Sequence, residues 1–300
     1  MFGEALFDVF EDGRSVLGGA PFNVAWHLKG LGENPLFISR VGRDALGEKV
    51  LRAMSDWGLD ASGVQLDSLH PTGTVRVSID GGQPRYEILP EQAYDFIEAE
   101  KALDAASNEN FFALHHGTLA LRHETSRAAL AKLVEGLAIP VFLDPNLRSP
   151  WWQVQAVRDA LRRATWAKLN REELVTLSSG DSTRGCAGLA AALRADFNLE
   201  LLVVTDGAGG AVAVDASGCI EVPAAEVESF VDSVGAGDAF DAVVIMGLMH
   251  GWGLPCILPR AAQFAAAVCG IRGATIVNPA FYQAQLKQWG AQHLARRAPR

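Results

Sequence analysis

The stretch most able to do chemistry is Asp232-Ser233-Val234-Gly235-Ala236-Gly237-Asp238-Ala239-Phe240, which runs into the apolar segment AFDAVVIMGLMHG. Glycines at 235 and 237 let the backbone approach a ligand, and the first N–H groups of a helix have no intrahelical acceptor. Amides of residues 235–238 would therefore form an anion site, worth most where negative charge develops during a reaction. Asp238 falls in the first helical turn beside that site, where a carboxylate can accept a proton from an attacking hydroxyl. The plainer role for Asp238 is a helix N-cap, worth about 1 kcal/mol. The turn by itself leaves these two roles nearly balanced.

The elements that must position this turn follow from periodicity. MFGEALFDVF reads as a strand that starts almost at the first residue and reaches Asp8, and DVFEDGRSVLGG reads as a hairpin turning at Asp12-Gly13. From Pro21 the spacing is helical, with Phe22, Ala25, Trp26, Leu28 and Leu31 on one side and Gly32 as a stop. PLFISRV is a strand, and a helix follows over Leu46, Val50, Leu51 and Met54. Between Thr72 and about Ile97, TVRVSID and PRYEILP alternate around Gly81-Gly82, a hairpin with no intervening helix. Beyond Lys101, FFALHHG, IPVFLDP, TWAKLN and LELLVVTDG are apolar runs ending in polar residues or glycine. Helices are expected near 122–136 and 151–163, and two more between TWAKLN and LELLVVTDG. A hairpin, AVAVDASGCIEVP, precedes two apolar helices over roughly 237–250 and 256–271. Such runs suit a parallel sheet covered on both faces. The expected architecture is one α/β domain over residues 1–300, a doubly wound and mainly parallel sheet flanked by helices. A small β lid, formed by about 8–17 and 70–97, is inserted in it.

Bulk properties remove several alternatives. A net charge of −9 over 300 residues argues against nucleic acid as a partner, because neutralising phosphates needs a basic surface. The basic end, Arg296 to Arg300, reads as a solvated tail. Cys186, Cys219, Cys256 and Cys269 show no metal-binding spacing, and buried free thiols in a reducing, cytoplasmic setting are expected. No run approaches the ~20 apolar residues of a membrane span. No GxxxxGK[ST] occurs, and Gly207-Ala208-Gly209-Gly210 has the wrong spacing for a dinucleotide fingerprint and leads into a strand-like segment. His115 and His116 are neighbours on a strand and point to opposite faces, so a metal pair is not expected.

Further motifs in order extend the pattern. Gly18-Gly19-Ala20-Pro21-Phe22-Asn23 is a double glycine followed by an asparagine on a helix, and Val41-Gly42-Arg43-Asp44-Ala45-Leu46-Gly47 follows it. Then come Asn170-Arg171-Glu172-Glu173, Thr205-Asp206-Gly207-Ala208-Gly209-Gly210 and the Asp232–Phe240 turn. With these the chain resembles the ribokinase-like (PfkB-type) carbohydrate kinases, and most of all their fructokinases. The resemblance covers nearly the whole chain. It departs from the family at Asp206, where many relatives carry an apolar residue, and in the very short stretch before Gly3-Glu4.

The resemblance implies a fold of parallel sheet and flanking helices with a small β lid over the sugar. It implies phosphoryl transfer from ATP to a small sugar, with Asp238 as catalytic base and the amides of Gly235, Ala236 and Gly237 as the anion hole. Asn170 and Glu173 would orient the nucleotide phosphates and Mg²⁺, the metal through water. Thr205, Gly207 and Gly210 would border the nucleotide, and Asp8, Gly19 and Asn23 would hold sugar hydroxyls. Potassium activation is common in the family, and Asp232 with residues 267–278 occupies the matching region. Many relatives pair through the lid to form dimers, which exposed lid strands would permit here.

The sugar is set by finer features. Asp144-Pro145-Asn146-Leu147-Arg148 followed by Trp151 resembles a segment shared by fructokinases and 2-keto-3-deoxygluconate kinases. The lid end, Tyr86-Glu87-Ile88 through Ala93-Tyr94-Asp95, looks more like fructokinases. Arg148 is a forked cation suited to a carboxylate or phosphate oxygen, with a salt bridge to Asp144 as its plainer role. Fructose is the first expectation and the acid sugar, or another sugar or nucleoside, the second. A sugar-binding regulator without turnover is the reading from another class, and an intact Asp238 argues against it.

Overall fold

The computed structural model describes residues 1–80, 83–107, 109–178 and 185–297, with backbone alone at 79, 80, 83, 84 and 291–297. Among these the strands are β1 (Leu6–Phe10), β2 (Ser15–Gly18), β3 (Ser39–Gly42), β4 (Val64–Asp67), β5 (Gly73–Asp80) and β6 (Gln83–Ile88). They continue with β7 (Leu114–His116), β8 (Val141–Leu143), β9 (Trp166–Asn170), β10 (Leu201–Thr205), β11 (Ala211–Asp215) and β12 (Gly218–Val222). The helices are α1 (Ala20–Gly30), α2 (Ala45–Trp57), α3 (Ala99–Ala106), α4 (Glu124–Leu137) and α5 (Val154–Leu161). The remainder are α6 (Arg171–Leu177), α7 (Cys186–Phe197), α8 (Ala236–Met249), α9 (Leu254–Cys269) and α10 (Pro279–Arg297).

The main sheet runs β12-β11-β10-β9-β8-β7, parallel from β7 to β10 and antiparallel at β11 and β12. The parallel pair β3-β4 continues it, because Phe2 forms parallel bridges to both Ile38 and His116. Alternation along β10 divides the core. Leu201 and Val203 pack with Val243 and Phe264 on one side, while Leu202 and Val204 pack with Leu174 and Leu189 on the other. Each such buried leucine or valine stabilises the fold by about 1.5–3 kcal/mol. Helix α8 is largely apolar and buried from Asp238 to Gly247, held between α1 and α9. No helix among the described residues is long and apolar enough to cross a membrane.

A second, smaller sheet has the order β2-β1-β5-β6, with β1 and β5 parallel. The hairpin of β1 and β2 turns at Asp12-Gly13, where the Arg14 N–H donates to Asp12 Oδ1 at 3.0 Å and Gly13 takes φ 83°. The Gly81-Gly82 turn, and residues 298–300 of the basic tail, lie outside the described residues.

One expected element is corrected. MFGEALFDVF is not a single strand, because Phe2 belongs to the main sheet and β1 to the small one. Gly3 makes the transfer at φ 148°, where an added Cβ would lie 2.6 Å from Pro21 Cγ. Strand β4, of four residues, and helices α3 and α10 are elements that the sequence reading does not include.

Candidate active site

The C-terminal ends of β8, β9 and β10, the first turns of α1 and α8, and one face of the small sheet enclose a cleft of about 660 Å³. In an open parallel sheet this is the edge where ligands bind. The cleft is lined by Asp8, Gly19, Asn23, Arg148, Asn170, Glu173, Thr205, Gly235, Gly237 and Asp238, which the sequence singled out. Asp8, Val75 and Ile88 form one row across β1, β5 and β6, so a single face of the small sheet meets the cleft. Ala236, Gly207, Gly210 and Asp232 do not line it.

Asp238 is not the N-cap of α8. That position is Gly235, in the left-handed region at φ 80°, and no side chain caps the helix. A Cβ on Gly235 would lie 2.5 Å from Ala274 Cβ, so the turn is closed to larger residues. The Asp238 carboxylate instead accepts a hydrogen bond from Asn23 Nδ2 at 2.7 Å, across 215 residues of chain. Burial pushes its pKa up to about 6, while the Asn23 amide and the Lys168 ammonium hold it down. A carboxylate so tuned accepts protons near neutral pH. Of the four amides expected to be free, that of Ala236 donates to Ser233 O at 3.2 Å. Gly235, Gly237 and Asp238 thus supply the N–H groups without a protein acceptor among the described residues. Gly19 takes φ 118°, and a Cβ there would meet Glu4 O at 2.4 Å. Its carbonyl accepts from Asn23 N at 2.8 Å, which fixes the start of α1 and with it the Asn23 side chain.

Asn170-Arg171-Glu172-Glu173 is a capping box. Asn170 Oδ1 accepts from Glu173 N and Glu173 Oε2 from Asn170 N, both at 2.9 Å. Glu173 Oε1 also accepts from Leu147 N at 2.8 Å, tying α6 to the segment after β8. Glu173 is 5% exposed, and burial raises its pKa. Thr205 ends β10 directly across from Asn170 on β9. Gly207 and Gly210 shape the turn beyond, at φ 49° and 90°. The departure at Asp206 is filled by an ion pair with Arg171 at 2.6 Å. Asp232 accepts from Val234 N at 3.1 Å and Gly273 N at 3.3 Å, bracing the turn before α8. Burial raises the pKa of Asp8, and Arg148 opposes it. Arg148 is exposed and makes no ion pair among the described residues.

Sequence reading missed the groups beneath the turn. The partner of Asp144 is Lys168, at 2.6 Å, and not Arg148; Lys168 also reaches Asp241 at 3.4 Å. Glu4 lines the cleft as well, and burial pushes it up to about 7. The signals were present as single charges inside apolar runs, a lysine in WAKLN and an aspartate in AFDAVV.

A family model described as pfkB family carbohydrate kinase matches residues 10–280. A fructokinase of Klebsiella pneumoniae is 35% identical over 266 residues, 84% of each chain. A fructokinase double mutant of Vibrio cholerae, solved with fructose, ADP and potassium ion, superposes with TM-score 0.78 at 26% identity, covering 94% of this chain and 96% of that one. A Xylella fastidiosa fructokinase with bound ATP shares the fold at TM-score 0.83 and 23% identity, over 96% and 98% of the two chains.

Proposed function

The chain belongs to the pfkB family of carbohydrate kinases and is a sugar kinase, and from that premise we propose that it phosphorylates fructose with ATP, Asp238 acting as base. The observation that carries this reading is the setting of Asp238: a buried carboxylate held by Asn23 in the first turn of α8, beside N–H groups without acceptors. A sugar-binding regulator has no need of that combination.

Asp8, Gly19 and Asn23 hold the sugar hydroxyls. Asp238 takes the proton of the attacking hydroxyl, and the amides of Gly235, Gly237 and Asp238 receive the oxygens of the transferring phosphoryl group. Asn170, Thr205, Gly207 and Gly210 border the nucleotide. The small sheet acts as the lid and excludes water. No three His, Cys, Asp or Glu side chains among the described residues converge as a metal site. Mg²⁺ would be carried on the nucleotide phosphates, with Glu173 reaching it through water. The ion supplies neutralisation of phosphate charge. A monovalent cation beside Asp232 belongs to the same reading.

Arg148 favours a second acceptor. A guanidinium facing the cleft without an ion partner suits the carboxylate of an acid sugar. One experiment separates the two: ADP release with Mg-ATP on fructose, ribose, tagatose, 2-keto-3-deoxygluconate and a nucleoside, in K⁺ or Na⁺, beside Asp238→Asn. Fastest turnover on fructose, lowered ~10²–10⁴-fold in the variant, is expected. Preference for the acid sugar would replace fructose, full activity of Asp238→Asn would remove the base, and equal rates in K⁺ and Na⁺ would remove the monovalent site.

A further inference from the structure

Strand β9 carries a lysine among apolar neighbours: Ala167 and Leu169 are fully buried, and Lys168 is 5% exposed. Removing an ammonium from water costs several kcal/mol unless partners repay it. Lys168 Nζ donates to Asp144 Oδ2 at 2.6 Å and lies 3.4 Å from Asp241 Oδ2. It also lies 3.2 Å from where a Cβ of Gly237 would stand, so the ammonium sits against the glycine turn. Strand β9, the end of β8 and the second turn of α8 each contribute one group to this clamp. For stability alone, apolar side chains of similar volume would serve as well as a buried ion pair.

Given Asp238 as the base, we propose that Lys168 is a positioning residue whose ammonium, clamped by Asp144 and Asp241 under Gly237, keeps Asp238 in its charged, proton-accepting form. The groups facing Asp238 are Glu4, Asn23, Asp144, Arg148, Lys168 and Asp241. Asn23, Lys168 and Arg148 favour the carboxylate, and the three acids oppose it. Burial and the neighbouring Asp144 push Asp241 up, against the pull of the Lys168 ammonium. Burial also lowers His115, which stands 3.7 Å from Asp241, so that it stays neutral. Lys168 is pushed up by Asp144 and Asp241 in spite of its burial, so it stays charged. Of the two cations Lys168 is the buried one, and its field is screened less than that of exposed Arg148.

The test reads the carboxyl of Asp238 directly, by ¹³C titration assigned through its loss in Asp238→Asn, with melting temperature measured alongside. In Lys168→Met the midpoint is expected to rise by about half a pH unit or more, a roughly threefold loss of charged form below it. Lys168→Arg returns it towards the native value. Should Lys168→Met not fold, Lys168→Met/Asp144→Asn removes the pair together. Its midpoint is expected above the native one, because the lost attraction of Lys168 exceeds the lost repulsion of Asp144. A lowered melting temperature with an unmoved midpoint would reduce Lys168 to a structural residue. Turnover retained in Asp238→Asn would instead remove the base assignment, and leaves the titration result standing.

Discussion

On the floor of the cleft Asp144, Lys168, Asp238 and Asp241 are no more than 9% exposed, and each faces a charged or hydrogen-bonding partner. On the sheet above it, Val16 is 39% and Tyr86 57% exposed. The floor is anchored by two core clusters on either side of the main sheet. In the small sheet Leu6 and Val75 meet Tyr94 and Leu119 on one face and Phe7 meets Phe22 and Phe37 on the other, while its outer strands β2 and β6 are left more exposed. Groups that must meet reacting atoms within fractions of an ångström are set in close-packed structure. On the proposed reading, groups that admit or reject a sugar stand partly on the exposed outer strands of the small sheet, where change costs little stability. The division predicts that floor substitutions act on kcat and its pH dependence, and small-sheet substitutions on KM.

The largest effect expected is at the turn itself. Gly235→Ala places a methyl group in a left-handed conformation and 2.5 Å from Ala274 Cβ, so the turn must shift. That costs about 1–3 kcal/mol of stability and ~10²-fold in kcat, read by calorimetry and steady-state kinetics. A smaller effect is expected at Asn23. Its hydrogen bond holds Asp238 down near 6 against burial, so Asn23→Ala raises that midpoint. The base works deprotonated, so the acid limb of kcat/KM moves to higher pH. Activity at pH 6 falls ~10-fold and is largely recovered at pH 8, beyond any uniform loss of sugar affinity. An acid limb that stays in place would break the link between the two residues. The smallest effect is on the small sheet: Tyr86→Ala should raise the KM for sugar a few-fold, with stability changed by about 0.5 kcal/mol or less. A kcat loss there as large as that of Gly235→Ala would abolish the distinction between floor and lid.

Local signals carried the rest of the way to the site. Gly235 and Gly237 ahead of an apolar helix, Gly19 ahead of α1, and Asn170 three residues before Glu173 each act over a single turn, where spacing along the chain is distance in space. Apolar runs ending in polar residues announced β7 to β10 for the same reason. The sequence by itself therefore determined the doubly wound fold, the small sheet and the glycine turn ahead of α8. Partnerships were decided only by tertiary structure. Asn23 meets Asp238 across 215 residues and Lys168 meets Asp241 across 73, because strand order and the packing of α1 and α8 bring them together. That is why Asp144 was matched with nearby Arg148 in sequence and with Lys168 in space, and why only the fold decides against the cap at Asp238, whose buried carboxylate is held by Asn23 instead: burial and charge are properties of the folded surroundings, not of the motif.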